Sequence, residues 1–149
     1  MMEAFDLALE FLWKAEGGYS NHPNDRGGAT QFGVTQNTYN AYRKQKGLGI
    51  QNVKSITRDE AKDLYYRLFW LTIHPADKTP AQAIAAFDWA VNSGPKTALS
   101  HYNADVNGYL DERRRFYRSI GHGSQATFLK GWLNRVDRLS LYLKEKGLI

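Results

Sequence analysis

The residues that could do chemistry concentrate in one stretch, 16–35, which reads Glu-Gly-Gly-Tyr-Ser-Asn-His-Pro-Asn-Asp-Arg-Gly-Gly-Ala-Thr-Gln-Phe-Gly-Val-Thr. Glu16 stands eleven residues after Phe5, and eleven helical steps of about 100° return to within about 20° of the same direction. A carboxylate therefore ends the apolar stripe of Phe5, Leu9, Leu12 and Trp13. Partial burial beside Trp13 disfavours its charged form and raises its pKa. A general acid working near neutral pH needs that shift. Glycines at 17, 18, 27, 28 and 33 allow tight turns and close approach of backbone to a ligand, and Asp25 and Thr30 are placed so that the segment can fold back toward Glu16. Two carboxyl groups about 6.5–9.5 Å apart across a bound sugar form the inverting glycosidase arrangement. Local chemistry leaves other readings open. Glu16 also reads as a helix-terminal residue reaching solvent, and Asp25 as an Asx-turn residue in Pro-Asn-Asp-Arg-Gly.

The elements that must position this stretch are helical nearly throughout. Phe5, Leu9, Leu12 and Trp13 recur at helical spacing and make an amphipathic helix of about four turns ending at Gly17-Gly18. The segment from Gly17 to Thr35 is turn-rich, with short extended pieces around 29–34. Thr35 is the N-cap of a helix through Lys46, with Gly47 as its stop. Thr57-Arg58-Asp59-Glu60 reads as a capping box ahead of a stripe of Ala61, Leu64, Tyr65, Leu68 and Phe69. Thr79-Pro80 opens a helix that Ser93-Gly94 closes, and Pro95 begins the next. Residues 109–119 and 124–146 are the last two helices, with Ser124 as a cap and Gly147 as a stop. The expectation is a mainly α, single domain over residues 1–149. Its first part, 1–75, carries the first helix, the motif loop and the following helices, and 76–149 completes the core.

Composition closes off other chemistries. The 149 residues contain no cysteine, which excludes a disulfide scaffold, a zinc ribbon and a thiol nucleophile. His22, His74, His101 and His122 lack paired ligand spacing, so no metal site is expected. No Gly-x-Ser-x-Gly elbow and no phosphate-binding loop occurs. No apolar run approaches the roughly 18 residues of a membrane span. The acidic start, Met-Met-Glu-Ala-Phe-Asp, does not read as a signal peptide. The net charge of +5 lies entirely in residues 111–149, which hold 9 Lys and Arg against 4 Asp and Glu, while residues 1–110 balance at 11 against 11. A basic terminal third points to an anionic partner or to a solvated helix face. Phe116, Tyr117, Phe128, Trp132 and Tyr142 fall at core spacing there, which argues against a nucleic-acid stacking platform.

The motif Glu16-Gly17-Gly18-Tyr19, followed by Asn21, Pro23, Asp25, Gly27-Gly28, Thr30, Gly33 and Thr35, resembles the signature of the glycoside hydrolase 108 lysozymes. These are N-acetylmuramidases found largely as bacteriophage endolysins and in prophage regions. The likeness continues through residues 57–70, through Phe87–Pro95 and through Phe128–Arg135. It implies a lysozyme-like helical fold without a cofactor. It also implies hydrolysis of the β-1,4 bond between N-acetylmuramic acid and N-acetylglucosamine of bacterial peptidoglycan, with Glu16 as the catalytic acid. By similarity to the Glu-Asp-Thr arrangement of phage-type lysozymes, Asp25 would position the attacking water and Thr30 would hold it. The segment after Asn-Ser-Gly-Pro departs from the family. Members commonly carry a loop-rich stretch described as peptidoglycan-binding, whereas here Ala98–Asn103 leads almost directly to Tyr109–Tyr117. No separate wall-binding module is therefore expected.

Under this resemblance Tyr19 and Trp70 are expected to stack on sugar rings. Asp88 and Asn92, four apart on one helix face, are candidates for substrate contact, with a structural hydrogen-bond network as the favoured alternative. The basic end would concentrate a monomeric enzyme on an anionic wall or membrane. The enzyme would wait in the cytoplasm of an infected host for a holin, or travel with the virion. Two rival readings stay open, a lytic transglycosylase and a non-catalytic peptidoglycan binder.

Overall fold

The first helix, α1, spans Ala4–Ala15 in a computed structural model that describes residues 3–15 and 30–149. Its inner face buries Ala8, Leu9, Phe11 and Leu12. Strands β1 (Thr30–Gln31) and β2 (Val34–Thr35) pair antiparallel, with Thr30 opposite Thr35 and Gln31 opposite Val34. The two turn residues, Phe32 and Gly33, have φ of 55° and 77°. Two positive values in a two-residue loop match the twist of the paired strands. For Phe32 the left-handed conformation costs about 1–2 kcal/mol. It is held from two sides: the ring lies 5.8 Å from that of Trp13, and the carbonyl accepts the Tyr65 hydroxyl at 2.9 Å.

Thr35 closes the hairpin and caps α2 (Gln36–Gln45) by accepting the Thr38 N–H at 3.1 Å. Helix α3 (Arg58–Tyr65) begins at Thr57, whose hydroxyl accepts the Glu60 N–H at 3.1 Å. The expected capping box is only half formed. The Glu60 carboxylate instead accepts the Tyr39 hydroxyl at 2.5 Å and Arg43 at 3.2 Å. A charge-assisted partner on α2 outcompetes the local backbone N–H.

Helix α3 runs into a π-helical turn, Tyr66–Trp70, followed by short 3-10 turns at Leu71–Ile73 and Pro75–Asp77. The expected stripe therefore breaks. Ala61, Leu64 and Tyr65 are buried, but Leu68 and Phe69 are only half-buried. A π turn bonds five residues apart, so Trp70, five after Tyr65, takes the inward place.

Thr79 and Gln82 form a complete capping box for α4 (Pro80–Ser93). Residues 83–90 of α4 are all buried, and a helix closed in on every side is the centre of its fold. Helices α1, α5 (Pro95–Ser100) and α6 (Val106–Ile120) pack around it. Asp105 caps α6, which starts three residues earlier than the pattern indicates. Helix α7 (Ala126–Glu145) completes the core with Val136, Leu139 and Leu143. Ser124 does not cap it, because it lies inside a 3-10 turn at Gly123–Gln125 that precedes the helix. The fold is mainly helical and lysozyme-like, with one small hairpin, as expected. Among the described residues no helix is long and apolar enough to cross a membrane.

Candidate functional site

Helix α1 ends at Ala15, one peptide before Glu16. Glu16, Tyr19 and Asp25 lie outside the described residues, and Thr30 is the first residue of β1. The frame around the motif is in view. Trp13, less than one turn before the end of α1, meets the hairpin through Phe32 and the start of α3 through Arg58, whose guanidinium lies 4.8 Å from the centre of its ring. Three elements thus converge where the motif leaves the helix. From Trp13 a groove of about 580 Å³ runs between α1 and α3, bordered by Asp6 and Glu10 on one side and Arg58, Asp59 and Lys62 on the other. It continues into a second hollow of about 530 Å³ that ends at Tyr66 and Trp70.

Trp70 does not offer its faces to that hollow. It is 7% exposed, and its ring packs 5.4 Å from Phe5 and 5.7 Å from Phe87. The open aromatic there is Tyr66, 41% exposed and edge-on to Phe5. Trp70 was the ring expected here, and the π turn instead leaves Tyr66 as the open one.

Asp88 and Asn92 belong to one network. Asp88 is buried and accepts Arg113 Nη1 at 2.8 Å, Arg135 Nη2 at 2.9 Å and Arg135 Nε at 3.1 Å. Burial alone pushes its carboxyl up, but Arg135 and Arg113 outweigh that and hold it far below the ordinary carboxylate range. Arg113 Nε donates to the Tyr117 hydroxyl at 2.9 Å, and that hydroxyl donates to Asn92 Oδ1 at 2.5 Å. The two α4 residues are therefore joined through α6 rather than directly. Asp88, with both oxygens engaged inside the protein, orients Arg113 and Arg135 and has no room to touch a substrate.

This network corrects the reading of the basic terminal third. Arg113 is fully buried, and the Arg135 side chain is 11% exposed. Arg114 pairs with Asp111 at 2.7 Å and Asp137 at 2.9 Å, and Arg115 pairs with Glu112. The outward charge of this region comes from Arg118, Lys130, Arg138 and Lys144, all exposed. The aromatics need a correction too. Tyr117 and Tyr142 are buried, but Phe128 is 45% exposed and Trp132 only half-buried. Among the described residues no cluster of His, Asp or Glu is arranged to hold a metal ion.

The model of the glycosyl hydrolase 108 family matches residues 9–94, from the inner face of α1 to the end of α4. The chain belongs to that family. The matched span contains Glu16, Tyr19, Asp25, Thr30, Trp70, Asp88 and Asn92, and so makes the protein a member of a glycoside hydrolase family. The similarity extends past the span in three dimensions. The solved structure of Brucella abortus SagA is 30% identical and superposes with a TM-score of 0.76, covering 94% of this chain and 94% of that one. Helices α6 and α7 thus lie within the shared fold. No curated protein sequence matches the chain.

Proposed function

We propose that this family 108 member is an N-acetylmuramidase that hydrolyses the β-1,4 bond from N-acetylmuramic acid to N-acetylglucosamine in bacterial peptidoglycan. The observation that carries the proposal is the placement of the Glu-Gly-Gly-Tyr motif. It lies within the family span and begins directly after the last residue of α1, where Trp13, Phe32 and Arg58 meet. Glu16 donates a proton to the glycosidic oxygen as the bond to the anomeric carbon breaks. Asp25 positions the water that attacks that carbon and takes up its proton, and the Thr30 hydroxyl holds the water in place. Tyr19 offers a ring face to the sugar. No metal or cofactor takes part. In this reading the enzyme works on the wall as a bacteriolytic protein. It is delivered from the cytoplasm of an infected host through a holin or carried by the virion, and its exposed cations favour the anionic wall.

Glu16→Gln tests the proposal. The substitution keeps size and removes the proton. Wild type should clear a suspension of purified peptidoglycan, and the variant should lose two or more orders of magnitude in rate while keeping its far-ultraviolet circular dichroism. Equal clearing by both removes Glu16 from the mechanism, and clearing by neither favours a binding protein. Product mass separates hydrolysis from transglycosylation, because only hydrolysis adds water.

A further inference from the structure

The balanced charge of residues 1–110 hides a basic block. Residues 36–67, from the start of α2 into the π turn after α3, hold seven Lys and Arg against three Asp and Glu, and residues 36–58 hold no acid at all. The two acids that face α2 from α3 are already engaged. Glu60 meets Arg43 at 3.2 Å, and Asp63 meets Lys46 at 3.4 Å and Arg67 at 3.0 Å. Beyond the C-terminal end of α2 this block carries two open aliphatic side chains. Leu48 is 44% exposed, and Ile50, at 87%, is the most exposed large apolar residue among those described. Lys44 and every residue from there to Ile50 are exposed.

That exposure is fixed by the backbone. Gly47, at φ 73°, donates to the Lys44 carbonyl at 3.0 Å, and Leu48 donates to the Arg43 carbonyl at 2.8 Å. The same pattern, Tyr-x-Lys-x-Lys-Gly-Leu, closes α7 at Tyr142–Leu148 with the same pair of bonds, Gly147 to Lys144 at 3.0 Å and Leu148 to Leu143 at 2.9 Å. There the leucine packs against the core, as the residue after such a glycine commonly does. At α2 the leucine stays outside, and Gln45 stands where α7 has Glu145, so the acid is missing too. The chain is then tied on both sides of Ile50. Arg43 Nε donates to the Gly49 carbonyl at 2.5 Å, and Gln36 Nε2 donates to the Gln51 carbonyl at 2.8 Å while its Oε1 accepts the Val53 N–H at 2.7 Å. A held loop thus presents Ile50 to solvent.

We propose that the Gly47–Ile50 tip docks on an anionic phospholipid bilayer, with Ile50 and Leu48 entering the boundary between headgroups and acyl chains and Lys44 and the basic block behind them facing the lipid phosphates. The inference stands apart from the muramidase reading. Size and charge select the occupant. Two side chains cover far less than the roughly 800 Å² that a stable protein partner buries on each side. A second copy across a twofold axis would set the same cations against one another. A polar wall polymer could attract the lysines but has no apolar phase to receive a projecting isoleucine. A fluid bilayer takes in single aliphatic side chains and attracts the cations around them. Helix α2 spans ten residues, about 15 Å, so docking by this tip would hold Thr35 and the hairpin about that far from the lipid contact.

The test uses the full chain, which has no cysteine, so a single introduced one reports its own position. Ile50→Cys and Leu141→Cys, each labelled with the apolar, environment-sensitive dye nitrobenzoxadiazole, are titrated with two kinds of vesicle: phosphatidylglycerol mixed with phosphatidylcholine, and phosphatidylcholine alone. The dye at position 50 should brighten and shift to the blue on the mixed vesicles and stay unchanged on the zwitterionic ones. The dye at position 141, an exposed apolar site on α7, should not respond. In co-sedimentation of the unlabelled protein with mixed vesicles, Ile50→Ser should weaken binding about tenfold. Lys44→Gln should weaken it about fivefold at low salt and little at high salt. Both variants should keep the wild-type Tm, which separates lost docking from lost folding. A dye at position 50 that does not respond, or one at 141 that responds as strongly, overturns the proposal. So does vesicle binding that Ile50→Ser leaves intact. Binding to purified peptidoglycan that Ile50→Ser abolishes, with none to vesicles, would assign the tip to the wall and also overturn it.

Discussion

Replacing Asp88 by Asn tests whether the buried network holds the fold together. The asparagine has nearly the same size and keeps one acceptor oxygen, but it carries no charge. Its single oxygen would replace only one of the two that serve Arg113 and Arg135, and the new amide would aim donors at the guanidinium donors of the other place. Removing one member of a buried ion pair costs about 3–5 kcal/mol, because the remaining charge stays desolvated. For a chain of this size each kcal/mol lowers Tm by about 2–4 °C, so the expected fall is roughly 6–20 °C. Thermal unfolding followed by circular dichroism measures it directly. The effect also has a pH signature. A carboxyl held below its ordinary value of about 3.9 stabilises the fold above that pH, and the contribution fades as pH drops toward the folded-state value. Wild-type Tm should therefore fall more steeply than that of Asp88→Asn below about pH 4, and the two should converge. A loss under about 3 °C at neutral pH, or parallel acid profiles, would refute the claim that these arginines depend on Asp88.

Two further predictions follow from the α6–α7 hairpin. Gly121→Ala would place a Cβ 2.7 Å from the Tyr117 carbonyl oxygen and 2.8 Å from Leu129 Cδ1, so it should cost about 1–3 kcal/mol, read as a lower denaturant midpoint at constant slope. Reversing Lys130 and Arg138 to Glu should weaken binding to purified wall at low salt and have little effect at high salt, because these exposed charges are screened; equal loss at both salts would contradict it.

Most helices were legible because their signals are local. A cap, a glycine stop and a 3.6-residue stripe need no knowledge of the rest of the chain, and Thr35, Thr79 and Gly47 act as their types indicate. Departures appear where a distant partner wins. Glu60 abandons its box for Tyr39 and Arg43, and the π turn at Tyr66–Trp70 shifts the stripe by one residue to seat Trp70 on Phe5 and Phe87. A stripe read at helical period could not show that Tyr66, and not Trp70, would stay open.

The candidate site divides along the same line. The motif at Glu16 is contiguous and so can be read from sequence, whereas its frame is assembled from Trp13, Phe32 and Arg58, which only the fold brings together. The arginines make the point most sharply. Residues 111–149 show a +5 excess, and counting charge treats Arg113 and Arg118 alike. Burial separates them, since Arg113 is closed in against Asp88 and Arg118 is exposed. A buried guanidinium demands a counter-charge and hydrogen-bond acceptors. Asp88, invisible as a partner across 25 residues of sequence, meets that demand for Arg113 and for Arg135 together. One carboxylate on the central helix thereby fixes the relative placement of α4, α6 and α7.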